Sequence, residues 1–100
     1  NDLVKEAIED AETVEFEGYR TLAVNSRNQV SKIAAEIYEN NPPIAIVWSE
    51  RGGKIIVSLR SNGKVDVSKL AAKYGGGGHK QSAAFRLEAG TNLPWKIIKK

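Results

Sequence analysis

The sequence predicts an α+β fold: a single domain in which two or three helices pack against one mixed sheet of about five strands. Three observations lead there. One hundred residues, 41% of them hydrophobic and 27% charged, suit one compact core and are too few for two. Apolar residues recur with a period of two in some stretches and at helical spacing in others. These stretches follow the order α, β, β, α, β, β, α, β, in which hairpins dominate and helices fall between them.

Residues 1–12 place Leu3, Val4, Ala7, Ile8 and Ala11 along one stripe of a short helix, with Asp2 as its N-cap. No methionine starts the chain, and this helix is expected to be a linker from another domain of a longer protein. Val14 and Phe16 then alternate up to a turn at Gly18, and Thr21 to Val24 return, which makes a β-hairpin. Val30, Ile33, Ala34, Ile37 and Tyr38 line a second helix, capped by Ser26 or Asn28 and stopped by Asn41 and the two prolines after it.

"PIAIVWSERGGKIIVSLRS" gives two strands around "RGG". The first is apolar on both faces and therefore central; the second sends Ile55, Val57 and Leu59 one way and Ile56, Ser58 and Arg60 the other. After the turn signal "NGK", Asp66 caps a third helix carrying Val67, Leu70, Ala71 and Tyr74, and Gly75 ends it at a position that favours positive φ. "SAAFRLEA" reads as the last strand, and "LPWKIIKK" as an apolar and basic tail or short extension.

The charge is unevenly distributed. Residues 1–50 hold four basic and ten acidic side chains, residues 51–86 hold eight basic and one acidic, and the whole chain carries +3. Such asymmetry points to a polyanionic partner for the second half, unless the two halves pair with each other in the fold. The chain has no cysteine, which excludes disulfides, a thiolate nucleophile and a cysteine-ligated zinc, and agrees with a cytoplasmic setting. "IAIVW", the longest apolar run, is far below the ~20 residues of a membrane span, so no membrane role is expected.

The stretch "KYGGGGHKQSAAFR" holds the chain's one histidine directly after four glycines. Gly75 serves the helix end. Gly76, Gly77 and Gly78 are then in excess, and each costs conformational entropy on folding unless strained angles or a close backbone approach require it. An approaching phosphate is one such cause, since amides freed of side chains can converge on an anion. His79 and Lys80 would add donors and charge. The spacing matches neither a P-loop, because His79 separates Gly78 from Lys80, nor a dinucleotide fingerprint, because the run follows a helix. A flexible linker is the plainer alternative. A single histidine makes no metal site, and no nucleophile and base stand out by spacing, so no catalytic residue and no metal ligand is assigned to this chain.

"VSLRS", then "GKVDVSKLAAKYGGGGH", then "AAF" together resemble the C-terminal, DHH-associated domain of the DHH phosphoesterase superfamily. That superfamily holds RecJ-like exonucleases, nano-RNases and cyclic-dinucleotide phosphodiesterases. The resemblance is strongest over residues 55–87. It implies that the whole of residues 1–100 is a substrate-binding domain whose catalytic partner, in the same parent chain, carries manganese or magnesium and the Asp-His-His triplet that is absent here. It also implies a short oligonucleotide or a cyclic dinucleotide as the ligand, and leaves a homodimer open. Carried over by position, Arg60 matches the substrate-binding arginine with Ser61 beside it, and Gly76, Gly77, Gly78 and His79 match the "GGGH" loop, with Lys80 adding a charge. Asn25 matches a weaker feature, and reads equally well as a turn asparagine. Ala84 stands where the family more often has glycine. An RNA-binding module akin to the C-terminal domain of alanyl-tRNA synthetases is the alternative, with Tyr74, Phe85 and Trp95 available for stacking on bases.

Overall fold

Residues 2–40 and 43–99 are described by the structure, a computed structural model. Its elements are α1 (Asp2–Glu9), β1 (Glu12–Phe16), β2 (Tyr19–Asn25), α2 (Val30–Glu39), β3 (Ile44–Arg51), β4 (Lys54–Ser61), α3 (Val67–Ala72), β5 (Gly77–His79), β6 (Ser82–Glu88) and β7 (Lys96–Lys99). All strands join one mixed sheet in the order β5-β6-β4-β3-β2-β1-β7. β2 and β3, joined through α2, run parallel; the other pairs are antiparallel.

β3 sits in the middle because Ile44, Ala45, Ile46 and Val47 can be dried on both faces at once. Ile44 and Ile46 enter a core with Val57, Leu59, Phe85 and the α3 residues Val67, Leu70 and Ala71. Ala45 and Val47 enter a second core with Val4 of α1 and Ile33, Ala34 and Ile37 of α2. Helices therefore cover both faces, but not evenly: α2 packs on β3 and β4, while α3 packs on β4, β5 and β6 from the other side.

The hairpin signals fold as their residues require. Glu17 and Gly18 have φ of 50° and 85°, and Gly52 and Gly53 have 53° and 78°, the paired left-handed conformations that match the twist of two-residue hairpins. Asp66 caps α3, its Oδ1 accepting from the Ser68 amide at 3.0 Å. α2, in contrast, begins at Gln29, itself left-handed at φ 56° and making no side-chain capping bond. The expected caps are used elsewhere: the Ser26 hydroxyl donates to the Asn28 carbonyl at 2.9 Å and accepts from the Asn28 amide, closing a turn before the helix. Asp2 lies inside the first turn of α1 rather than before it. Asn41 and Pro42, expected to stop α2, and Asn1, at the start of the expected linker helix, are outside the described residues.

Seven strands replace the expected five or so, and the two additional ones are short edges. β7, read from sequence as a tail, pairs with β1, where Val14 meets Ile97. β5, read as a loop, is the glycine run itself. Neither carries an alternating pattern, because β7 leaves both Ile97 and Ile98 exposed and β5 is two glycines and a histidine.

The aromatics available for stacking on RNA lie inside. Phe85 is 2% exposed and Trp95 8%, and the rings of Tyr74 and Phe85 stack with centroids 4.6 Å apart. Tyr74 is half-buried, and its hydroxyl donates to Glu17 Oε2 at 2.6 Å while Lys73 Nζ donates to Glu17 Oε1 at 2.8 Å. Burial, reinforced by the Glu17 carboxylate, pushes the Tyr74 hydroxyl up to about 12. Hydrogen bonds from Lys73 and then Tyr74 hold the Glu17 carboxyl below the usual range.

Folding thus favours neutral Tyr74 and charged Glu17. The tyrosine contribution is complete below its ordinary value of 10.0 and is lost as pH climbs through about 12. The glutamate contribution is present above 4.5 and is lost as pH falls through its lowered folded value. In an ultraviolet phenolate titration of the three tyrosines, one is expected to ionise near pH 12, and Tyr74→Phe should remove that late phase alone.

Candidate phosphate-binding face

The site begins where α3 ends. Gly75, at φ 81°, donates its amide to the Ala72 carbonyl at 3.1 Å, and Gly76 donates to the Ala71 carbonyl at 3.0 Å, a Schellman ending of the helix. From there β5 runs along the sheet edge and turns through Lys80 and Gln81 into β6. The turn is fastened at both residues: the Lys80 carbonyl accepts from the Val67 amide at 2.9 Å and the Gln81 carbonyl from the Ser61 amide at 3.0 Å.

The three glycines in excess by sequence divide here. A Cβ on Gly76 would stand 2.1 Å from the Ala84 carbonyl oxygen, and one on Gly78, at φ 147°, would stand 2.6 Å from the Ala83 Cα. Both are needed for β5 to lie against β6. Gly77 has no positive φ, and a Cβ there would meet nothing within 4 Å. It is the one glycine of the run that the fold leaves unexplained. The expectation that successive amides converge on an anion also changes, because in a strand alternate amides point to opposite sides.

Strand register places the side chains. Arg60 pairs with Ala45 on one side and Ser82 on the other, and Ser82 pairs with His79. Directly paired residues share a face, so these belong with Ala45 on the α1/α2 side. Two strand spacings, about 10 Å, separate the Cα atoms of Arg60 and His79. The next row on that face is Ser58, Ala84 and Gly77, and the one after it is Ile56 and Arg86. α2 stops at β4, and His79, Gly77, Ala84 and Arg86 are exposed. The result is an open floor of small residues with a cation or an imidazole on either side.

Arg60 is half-buried in the wall of this face. Its Nη1 donates to the Ser31 hydroxyl of α2 at 3.1 Å, and its buried Nε has no partner. A guanidinium has five donors, so one neutral hydroxyl leaves most of the fork for a ligand. Of the eight cations in residues 51–86, Lys54 pairs with Glu88 and Lys73 with Glu17 among the described residues. Lys80 is exposed beside the site.

Two expected residues lie elsewhere. Ser61 is 2% exposed, on the opposite face from Arg60, and its hydroxyl donates to the Val65 carbonyl at 2.7 Å and accepts from the Gly63 amide at 3.2 Å. Asn25 ends β2 opposite Trp48, in line with Ala23 of the α3-side core, so it too faces away from the Arg60 row. Ser82 and Arg86 were not singled out from sequence; the period-two alternation of "SAAFR" carries the signal, but it locates them only once the partner strand is known. A mainly apolar hollow of about 600 Å³ lies on the helical face between Ile8, Leu22 and Ile37 and includes none of these residues. Among the described residues no three His, Cys, Asp or Glu side chains come together to hold a metal.

An α+β domain with helices on both faces and one uncovered basic sheet end is the class this geometry defines. The DHHA1 domain family matches residues 19–95, and the chain belongs to that family. No curated protein matches it. Its fold is similar to that of an uncharacterized protein from Helicobacter pylori G27, with a TM-score of 0.68 and 24% identity over 88% of this chain and 25% of that one. It is also similar to PggH, a pGpG-specific phosphodiesterase from Vibrio cholerae, with a TM-score of 0.63 and 18% identity over 88% of this chain and 33% of that one. At these identities the likeness is one of fold, and the chain spans a third or less of either protein.

The glycines give a paired test. Gly76→Ala should lower stability by about 1–3 kcal/mol, because the backbone of β6 must move. Gly77→Ala should change it by less than about 0.5 kcal/mol. Urea unfolding midpoints at unchanged slope would show the difference.

Proposed function

We propose that this chain is the substrate-binding domain of a DHH-type phosphohydrolase and that it grips the phosphates of a short oligonucleotide or a cyclic dinucleotide. The observation that carries the reading is the single row of Arg60, Ser82 and His79 on the uncovered face. Arg60 offers a planar fork suited to two phosphate oxygens, His79 a ring donor, Ser82 a hydroxyl between them, and Lys80 a charge at the rim. Gly77 keeps the floor beside the row free of side chains, so the ligand backbone can lie close.

This domain binds and orients; it does not break the bond. In the parent chain, a catalytic domain with its manganese or magnesium would supply the activated water. Membership of the DHHA1 family supports that division of labour. The pGpG specificity of one structural neighbour lies within the proposed substrate class. A cytoplasmic location accompanies such substrates.

Titration of a labelled dinucleotide without divalent metal tests the grip. Arg60→Ala and His79→Ala should each weaken binding by about tenfold to a hundredfold, the range for a hydrogen bond to a charged group. Unchanged affinity in both variants would sink the proposal.

A further inference from the structure

The open face extends beyond the phosphate row. Arg86 lies four positions along β6 from Ser82, about 13 Å of extended strand. There the sheet edge is hollowed: Ile56, Gly75, Gly76, Ala84, Phe85 and Arg86 surround a space of about 340 Å³, at the small end of ligand sites. Phe85 contributes to this wall while its ring stays in the α3-side core. Gly75 and Gly76 add backbone without side chains, Ile56 and Ala84 add apolar surface, and Arg86, exposed and opposite Ile56, is the one charged group on the lining.

We infer that this hollow is a nucleobase subsite and that Arg86 reads the base, favouring guanine. The inference rests on the phosphate grip proposed above. A flat ring fits a wall of glycine backbone and small apolar groups, whereas a second phosphate would find one cation and no further polar side chain. Arg86 can only donate, and guanine presents two adjacent acceptors, O6 and N7, that match the guanidinium fork. Adenine offers N7 beside an amino donor, which the fork cannot satisfy. The two sites therefore divide the labour: Arg60, Ser82 and His79 take the phosphate that every nucleotide has, and Arg86 takes the edge that differs between bases. A free phosphate reaches only the first, while a nucleotide chain reaches both.

The test uses the protein at its full natural length, with the dinucleotides pGpG and pApA and with ribose 5-phosphate, by calorimetric titration without divalent metal. Unmodified protein should bind pGpG more tightly than pApA. Arg86→Ala should lower pGpG affinity about tenfold, bring the two dinucleotides level and leave ribose 5-phosphate binding unchanged. Arg86→Lys should also lose the preference, since it keeps the charge but not the fork. His79→Ala should weaken all three ligands alike, which separates failure of the phosphate grip from failure of the base subsite. A preference for guanine that survives Arg86→Ala in a variant with unchanged thermal unfolding would overturn the inference. So would equal binding of both dinucleotides by unmodified protein, or no binding of either.

Discussion

A one-residue slip between β3 and β4 would turn Arg60 into the α3-side core and put Leu59 on the open face. What forbids it is the burial of β3 on both sides. Ile44 and Ile46 need the space beside Leu59 and Val57, and Ala45 and Val47 need the space under α2, so only one register satisfies both cores. Each later pairing inherits that choice. β6 is set against β4 and β5 against β6, and the orientation of Ser82, His79 and Arg86 thus follows from apolar contacts on the other side of the sheet.

The glycine run shows how one low-complexity stretch serves two ends. Gly75 and Gly76 finish a helix, and Gly76 and Gly78 let one backbone lie on another closer than any side chain would permit. Gly77 answers to neither demand. Its hydrogen faces the same open floor as Ala84 and Ser58, where a methyl would meet nothing within 4 Å.

Much of the fold was legible because its signals are local. The hairpins at Gly18 and at Gly52–Gly53, the Asp66 cap, the Gly75 ending and the alternation of β4 each depend on residues within a turn or two of chain. β5 and β7 were not legible, since edge strands of three and four residues are held by their neighbours rather than by a pattern of their own. The same distinction runs through the site. Arg60 and His79 were identifiable as residue types, and their shared row was not, because it is created by a strand lying between them. Ser61 does not share that row for a related reason: adjacency in a strand means opposite faces.

Between Ser61 and Gln81 the chain leaves β4, forms α3 and the edge strand β5, and comes back to a backbone hydrogen bond joining those same two residues. The excursion is therefore closed at its neck before β6 begins. Lengthening or shortening what lies between alters a closed ring and leaves the pairing of β4 with β6 in place, and loop-closure entropy changes only slowly with length. The segment that carries Gly77, His79 and Lys80 can therefore vary in length while the strands that anchor it keep their register.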